Sequence, residues 1–316
     1  MSLYRYTARR LLQILPVLFG VITLTFVMMQ ALPGNPVDIY LGVNPDPEVR
    51  RELIREYGFH KPLWQQYVDY IGRLLSGNLG TSFLYREPVS DLMLRRLGPT
   101  GALMGSAYLI ALPTAISLGI YAAARHNDVG DHASRFLGLA GVSTPNFWLG
   151  LMLIFLFAYQ WNLLPASGYE TFARDPVGAA RRLLLPVVTL ATAQTATLMR
   201  MTRSSMVEEL REDYVETMRA YGIPERRVLV RHAFRNAMLP LVTIVGLQLS
   251  FLLGGSVIVE EIFAIPGMGR LFFKGIVNQD FGIVMGGTIV FAVTFLLGVL
   301  VTDIAYAYID PRIRYD

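Results

Sequence analysis

Long apolar runs alternate along the chain with shorter polar segments. Six runs approach or exceed the ~20 residues that carry a helix across a bilayer: 11–32, 99–124, 136–161, 184–199, 238–259 and 283–308. The first two hold no charge, and the sixth holds one acid, Asp303. The fourth is the shortest and the richest in threonine. Arg5, Arg9 and Arg10 precede the first run as they would in a secretory signal. Its apolar core is longer than the ~7–15 residues of a signal h-region, and no A-x-A site follows. The expectation is a retained helix.

Two of the polar segments carry patterns of their own. In 33–98, Asp46-Pro47 reads as a helix cap followed by proline at the first helical position. Val49, Leu53 and Tyr57 fall on one face, and Gly58 closes the turn. A second helix runs from Pro62 to about Leu75, with Leu63, Tyr67, Tyr70 or Ile71, and Leu74 as its apolar stripe; Gly77-Asn78 stops it. This segment is either a small cap packed on the bundle or a ligand contact. In 200–237, Ser205 and Glu208 have capping-box spacing, and Met206, Leu210, Tyr214 and Met218 recur every four residues. Gly222 then Pro224 end this helix. A second helix carries Arg226, Arg227, Arg231, His232 and Arg235 towards Pro240. The pattern is a helix–glycine–helix knob, either a solvated hairpin or a docking element whose apolar face needs something to bury against.

Composition agrees with the runs. Of 316 residues, 53% are hydrophobic and 16% charged, against ~25% charge in an ordinary soluble domain. There is too little polar material for a soluble surface and too much apolar material for disorder. Cysteine is absent, which excludes disulfides, thiolate metal sites and a cysteine nucleophile. The net charge of +4 includes only two lysines, Lys61 and Lys274, and forms no nucleic-acid footprint. With six spans, both termini lie on one side with 125–135 and 200–237. That side carries 15 arginines in 69 residues, whereas the other carries 13 Lys and Arg in 108. The density places both termini in the cytoplasm.

The chain cannot hold a phosphate-binding G-x-x-x-x-G-K-[ST], because neither lysine follows a glycine. Any ATP chemistry must belong to another subunit. His60, His126, His132 and His232 have no metal-ligand spacing, so no metal site is assigned, and no G-x-S-x-G elbow occurs. Glu260, Glu261 and Asp303 lie at span ends and are suspects for function or for structure. The stretch from Ile262 to Gly269, with Pro266 and Gly267, is too irregular for a helix. It reads as an external gate-like turn held by the two glutamates through helix-end or arginine contacts; Asp303 would brace the sixth span, against Arg312 for example. Thr192, Gln194, Thr195, Gln248 and Ser250 are candidates to line a pathway, or pack between helices.

Segment 200–240 resembles the cytoplasmic EAA loop of ABC importer permeases. Asp213-Tyr-Val-Glu-Thr-Met-Arg-Ala-Tyr-Gly222 resembles its first half, and Arg231-His-Ala-Phe-Arg-Asn-Ala-Met-Leu-Pro240 its second half in the peptide and nickel importer branch. Thr217 and Met218 stand where the general motif has two alanines. Arg9–Gly20, Leu32–Pro36, Lys61-Pro62, Gln66-Tyr67, Gly77–Gly80, Ser82, Glu260–Arg270 and Asp310–Arg314 are similar to the first permease subunit of dipeptide and oligopeptide importers. The resemblance implies an all-α, six-span, type I importer permease of a prokaryotic inner membrane. It divides the chain into an N-terminal helix with external loop, 1–98, and a five-helix core, 99–316, bearing the coupling loop 200–237. Glu216, Ala220, Gly222, His232, Arg235, Asn236 and Pro240 would contact the ATPase. The implied partners are a homologous second permease, two ATPase subunits carrying ATP and Mg, an extracytoplasmic binding protein and the lipid bilayer, with no cofactor on this chain and no nucleic acid. A proton- or ion-coupled secondary transporter using the three acids is the alternative class; it predicts an inverted repeat, and none is evident.

Overall fold

The computed structural model describes residues 3–34, 36–41, 46–250 and 252–309. Among them the chain is helical apart from turns and one isolated bridge between Thr81 and Pro88. The first span is α1, Leu3–Ala31. Three short helices follow: α2 Pro36–Leu41, α3 Pro47–Glu56 and α4 Leu63–Leu75. Asp46 caps α3, its carboxylate accepting from Glu48 N at 2.8 Å. Gly77, at φ +78°, ends α4, its N–H bonded to Leu74 O and that of Asn78 to Arg73 O.

The remaining spans depart from the apolar runs in informative ways. The second is α5, Val89–Ala124, ten residues longer than its run and continuous through residue 98. The third is broken. Helix α6, Val129–Ser143, meets α7, Asn146–Leu153, at a 98° bend, and a π-helical stretch, Ile154–Gln160, continues α7. The cause is Pro145, which lacks a donor and disfavours helical geometry in the residue before it; Thr144 is accordingly extended. The fourth run, 184–199, was expected to be the shortest span. It is the middle of a 34-residue helix, α8 (Pro176–Glu209), whose polar ends hid its length. The fifth run, 238–259, is covered by α11, Phe234–Ser250, and α12, Leu252–Ile262, on either side of residue 251, which lies outside the described residues. Two more helices complete the chain: α13, Met268–Val277, and the sixth span α14, Phe281–Ile309.

Helix α8 is the axis of the bundle, and α5 packs along it. Ala107, Ala111, Ala115 and Gly119 recur every fourth residue of α5 and are buried. A Cβ on Gly119 would lie 2.6 Å from Thr202 Cβ. Lipid offers no hydrophobic drive between helices, so close approach of small residues is what holds them. Helix α11 meets α14 in the same way, since a Cβ on Gly246 would collide with the Thr302 side chain. One apolar cluster, with Leu103, Leu183, Leu190, Val259, Phe263 and Ile265, surrounds the start of α8. Another, with Ala123, Met206, Ala233 and Ala237, surrounds its end. At 1.5 Å per residue, Leu183 and Met206 stand roughly 35 Å apart.

Candidate functional site

The segment between α8 and α11 is a knob of three helical pieces. It does not begin where the capping-box spacing suggests. Ser205 lies inside α8, 8% exposed, and the chain stays helical to Glu209. The packing of Met206 on Ala233 and Ala237 outweighs the local cap signal. After a turn, α9 runs over Asp213–Ala220. Gly222 follows at φ +73°, with its N–H bonded to Arg219 O and that of Ile223 to Met218 O. This is the paired-bond termination that glycine permits in the left-handed region. Helix α10, Glu225–Arg227, then passes through a π-helical turn, Val228–Ala233, into α11.

Polar contacts fix α9 to the helices on either side of the knob and to α10. Tyr214 donates to Glu209 Oε1 at 2.6 Å, and Asn236 Nδ2 donates to the same oxygen at 2.8 Å. Burial, reinforced by the Glu209 carboxylate, pushes the Tyr214 phenol up to about 12. Arg219 grips Glu225 through two bonds of 2.7 and 3.1 Å, closing the Gly222 turn like a clasp. Both side chains are half exposed, so the pair contributes ~1 kcal/mol or less. Of the loop residues singled out above, Glu216, Ala220, Gly222, Arg235, Asn236 and Pro240 are exposed, and His232 is half-buried. The α9 tip turns Tyr221 outward, 83% exposed, while Val215 is fully buried beneath. The knob therefore has a docked face and a free face.

A second polar knot stands near the start of α8. Glu260, at the end of α12, is fully buried. Its Oε1 accepts from Thr100 Oγ1 at 2.7 Å and Ser256 Oγ at 3.0 Å, and its Oε2 accepts from Arg270 N at 2.8 Å. Thr100 Oγ1 in turn accepts from Met268 N at 2.8 Å. The carboxylate thus serves the first N–H groups of α13, which have no partners within their own helix and carry the positive end of its dipole. Arg270 Nε donates to Glu261 at 3.0 Å. The turn between these helices includes Ala264 at φ +54° and receives Arg96 on Pro266 O. Gly267 has no room for a side chain, because a Cβ would lie 2.4 Å from the Glu260 carboxyl carbon. Gly168 N donates to Phe263 O at 2.9 Å, joining the turn to the α7–α8 connection.

The pathway candidates are not gathered in one place. Residues two apart on a helix are ~160° apart around its axis, so Thr192 and Gln194 face different neighbours. The Thr192 hydroxyl bonds Val188 O of its own helix at 2.7 Å, and its methyl lies beside Gly141 of α6. Gln194 shares a stripe with the buried Leu190 and Leu198, and Oε1 of its amide is buried without a hydrogen-bond partner. Thr195 is half-buried. Gln248 Oε1 accepts from Tyr108 OH of α5 at 3.5 Å. The side chain of Ser250, and Arg312 as the expected partner of Asp303, lie outside the described residues.

Two buried carboxylates were missed by sequence reasoning. Asp131, in the first turn of α6, is inaccessible and receives both Nε and Nη2 of Arg203 on α8 and the N–H of Asn127. Asp280, just before α14, accepts from Ser82 Oγ at 2.6 Å, Leu84 N at 2.9 Å and Ile283 N at 3.1 Å. An acid opening an apolar run was the available signal for Asp280. Its partner nearly 200 residues away was not. Among the described residues, no cluster of three or more His, Asp or Glu is placed to hold a metal ion.

An all-helical bundle of apolar spans with a helical knob at one end is the architecture of a multi-span membrane protein. Residues 115–315 match the family of binding-protein-dependent transport system inner membrane components, and residues 3–104 match that system's N-terminal membrane component. The chain belongs to this family: it is an inner-membrane permease subunit of an ABC importer, non-catalytic itself, with ATP hydrolysis and substrate capture residing on other subunits. Among its relatives are the oligopeptide transport system permease protein AppB of Bacillus subtilis (39% identical, covering 98% of this chain and 99% of the relative), the dipeptide transport system permease protein DppB of Escherichia coli K12 (37%; 98% and 99%) and the di/tripeptide transport system permease protein DppB of Pseudomonas aeruginosa (39%; 98% and 98%).

Proposed function

We propose that this chain forms half of the translocation pathway of an importer for di- or oligopeptides, paired with a homologous second permease. Two ATPase subunits would bind beneath and an extracytoplasmic binding protein above. The substrate class is supported by three relatives, each named for peptide transport and each covered almost end to end. The arginine-rich loops support placing both termini and the 200–237 knob on the cytoplasmic, ATPase side. In this reading residues 1–98 are an accessory helix and external cap, and 99–316 are the transport core.

The observation that carries the mechanism is the two-faced knob. Glu216, Ala220 and Gly222 would enter the ATPase, with His232, Arg235, Asn236 and Pro240 along its second arm. Met206 and Val215 hold the other face on the bundle. Nucleotide-driven closure of the ATPase pair would push the knob as a unit. Because α8 enters the knob without a break, that push would travel along α8 to the Glu260 turn at its far end. Glu260, Glu261, Pro266 and Gly267 would act there as an external gate, and Gln194 and Gln248 would face the pathway, with Thr192, Thr195 and Ser250 as weaker candidates. The test is cross-linking in the assembled complex. Ala220→Cys should join an engineered cysteine on the ATPase, and the yield should change with nucleotide. Failure to cross-link at any nucleotide state would remove the docking role.

A further inference from the structure

Helix α4 is amphipathic in a way that packing within this chain does not use up. Plotted at 100° per residue, its polar arc holds Gln65, Gln66, Asp69, Arg73 and Ser76. The rest is one continuous apolar arc with two halves. Tyr67, Tyr70, Ile71 and Leu74 form the first half and pack on Ile22 and Phe26 of α1 and Met285 of α14. Trp64, Val68 and Leu75 form the second half, and they are 70%, 59% and 84% exposed.

The level at which α4 docks says what covers that second half. Tyr67 OH meets Thr23 Oγ1 at 2.6 Å, and its ring stacks edge-on against Phe26 at 5.1 Å. Both partners lie inside the apolar window Leu12–Ala31 of α1. Tyr70 meets Phe281 edge-on, and the same cluster reaches Met285 and Ile289, two turns into the apolar window of α14. A helix touching two spans at these residues lies below their ends, within the depth of the bilayer. On α1, the span that α4 packs against, Leu24, Val27 and Met28 are likewise each more than half exposed.

We infer that α4 is an interfacial helix whose Trp64–Val68–Leu75 face is covered by the acyl chains of the adjoining lipid leaflet, with its Asp69–Arg73 arc turned to water. A wide apolar arc opposite a charged one is the pattern of helices that lie in the interface, and tryptophan is enriched at that level. The segment between the first two spans thereby has a membrane-anchored helix at its base. This depends on the spans crossing a bilayer and not on the substrate or on the coupling loop.

The test uses the cysteine-free chain in the full transporter, assembled with cysteine-free partners in nanodiscs. Nitroxide labels at Val68→Cys and Leu75→Cys are compared with labels at Gln65→Cys and Ser76→Cys on the polar arc. Collision with oxygen, which concentrates in lipid, should exceed collision with a water-soluble nickel chelate by a ratio several-fold higher at Val68 and Leu75 than at Gln65 and Ser76. An equal ratio at all four sites would put the face in water. Low collision with both reagents at Val68 and Leu75 would mean that another subunit covers it. Either result overturns the inference.

Discussion

The Glu260 knot is a place where the structure sets a magnitude. Glu260→Ala removes the acceptor for Thr100 Oγ1, Ser256 Oγ and Arg270 N inside a site with no solvent access. The two hydroxyls can rotate towards other acceptors, but the Arg270 N–H is fixed by α13. An unsatisfied buried donor costs roughly 1–3 kcal/mol, more where the lost partner was charged, and the contacts share one group and do not add. The expected loss is therefore about 2–4 kcal/mol. Glu260→Gln keeps one carbonyl oxygen, which can serve the hydroxyls or the Arg270 N–H but not both, so about 1–2 kcal/mol is expected. The readout is the fraction of complex that survives graded heating in nanodiscs, with membrane insertion checked first. The order should be parent, Gln, Ala. Thr100→Val should lose less in the Ala background than in the parent, because its main acceptor is already gone. An alanine variant as stable as the parent would refute the capping account. Glu260→Gln should still import with ATP when a protonophore is present, since the Glu260 side chain serves to hold a helix end and not to relay a transported proton.

Three further outcomes are expected. Gly222→Ala should cost about 1 kcal/mol from its left-handed backbone alone, since a Cβ there meets nothing within 4 Å; Gly222→Val should cost more. Both should insert normally yet show reduced substrate-stimulated ATP hydrolysis, and unchanged stimulation in the valine variant would count against the coupling role. Asp131→Asn should leave Arg203 with a neutral partner and lower survival on heating, by up to about 3–5 kcal/mol for a broken buried pair, with Asp131→Glu a partial rescue; a neutral result would show that water already reaches the pair. For topology, cysteines at Ser76 and Tyr221 should label from opposite sides with an impermeant reagent, Ser76 in intact cells and Tyr221 only after permeabilisation; labelling of Tyr221 in intact cells would invert the assignment.

The spans were legible because their signal is local: a run of apolar residues is sufficient evidence for a helix in lipid. Their ends were not. Helix α8 has Arg181, Arg182, Arg200 and Arg203 within its length, and a hydropathy reading stops at charges that the helix carries out of the bilayer. The break at Pro145 was visible as a residue, but whether proline kinks or breaks a span depends on neighbours; Pro113, Pro186 and Pro240 all sit within helices. Gly58, Gly77 and Gly222 each adopt the positive φ that their positions suggest. Ser205 misled because a cap signal is worth ~1 kcal/mol, whereas burial of Met206 beside it contributes more. The contacts that define the sites, Glu260 with Thr100 and Asp280 with Ser82, join residues far apart in sequence. No spacing rule reaches that far.

Uptake by the reconstituted transporter tests the central claim most directly. Proteoliposomes holding this chain, the second permease and the ATPases should accumulate a labelled di- or oligopeptide only when the binding protein and ATP are both supplied. That uptake should persist when a protonophore collapses the proton gradient at constant ATP, and it should fall sharply with Gly222→Val. Accumulation by this chain alone on an imposed proton gradient, without ATPase or nucleotide, would contradict the account.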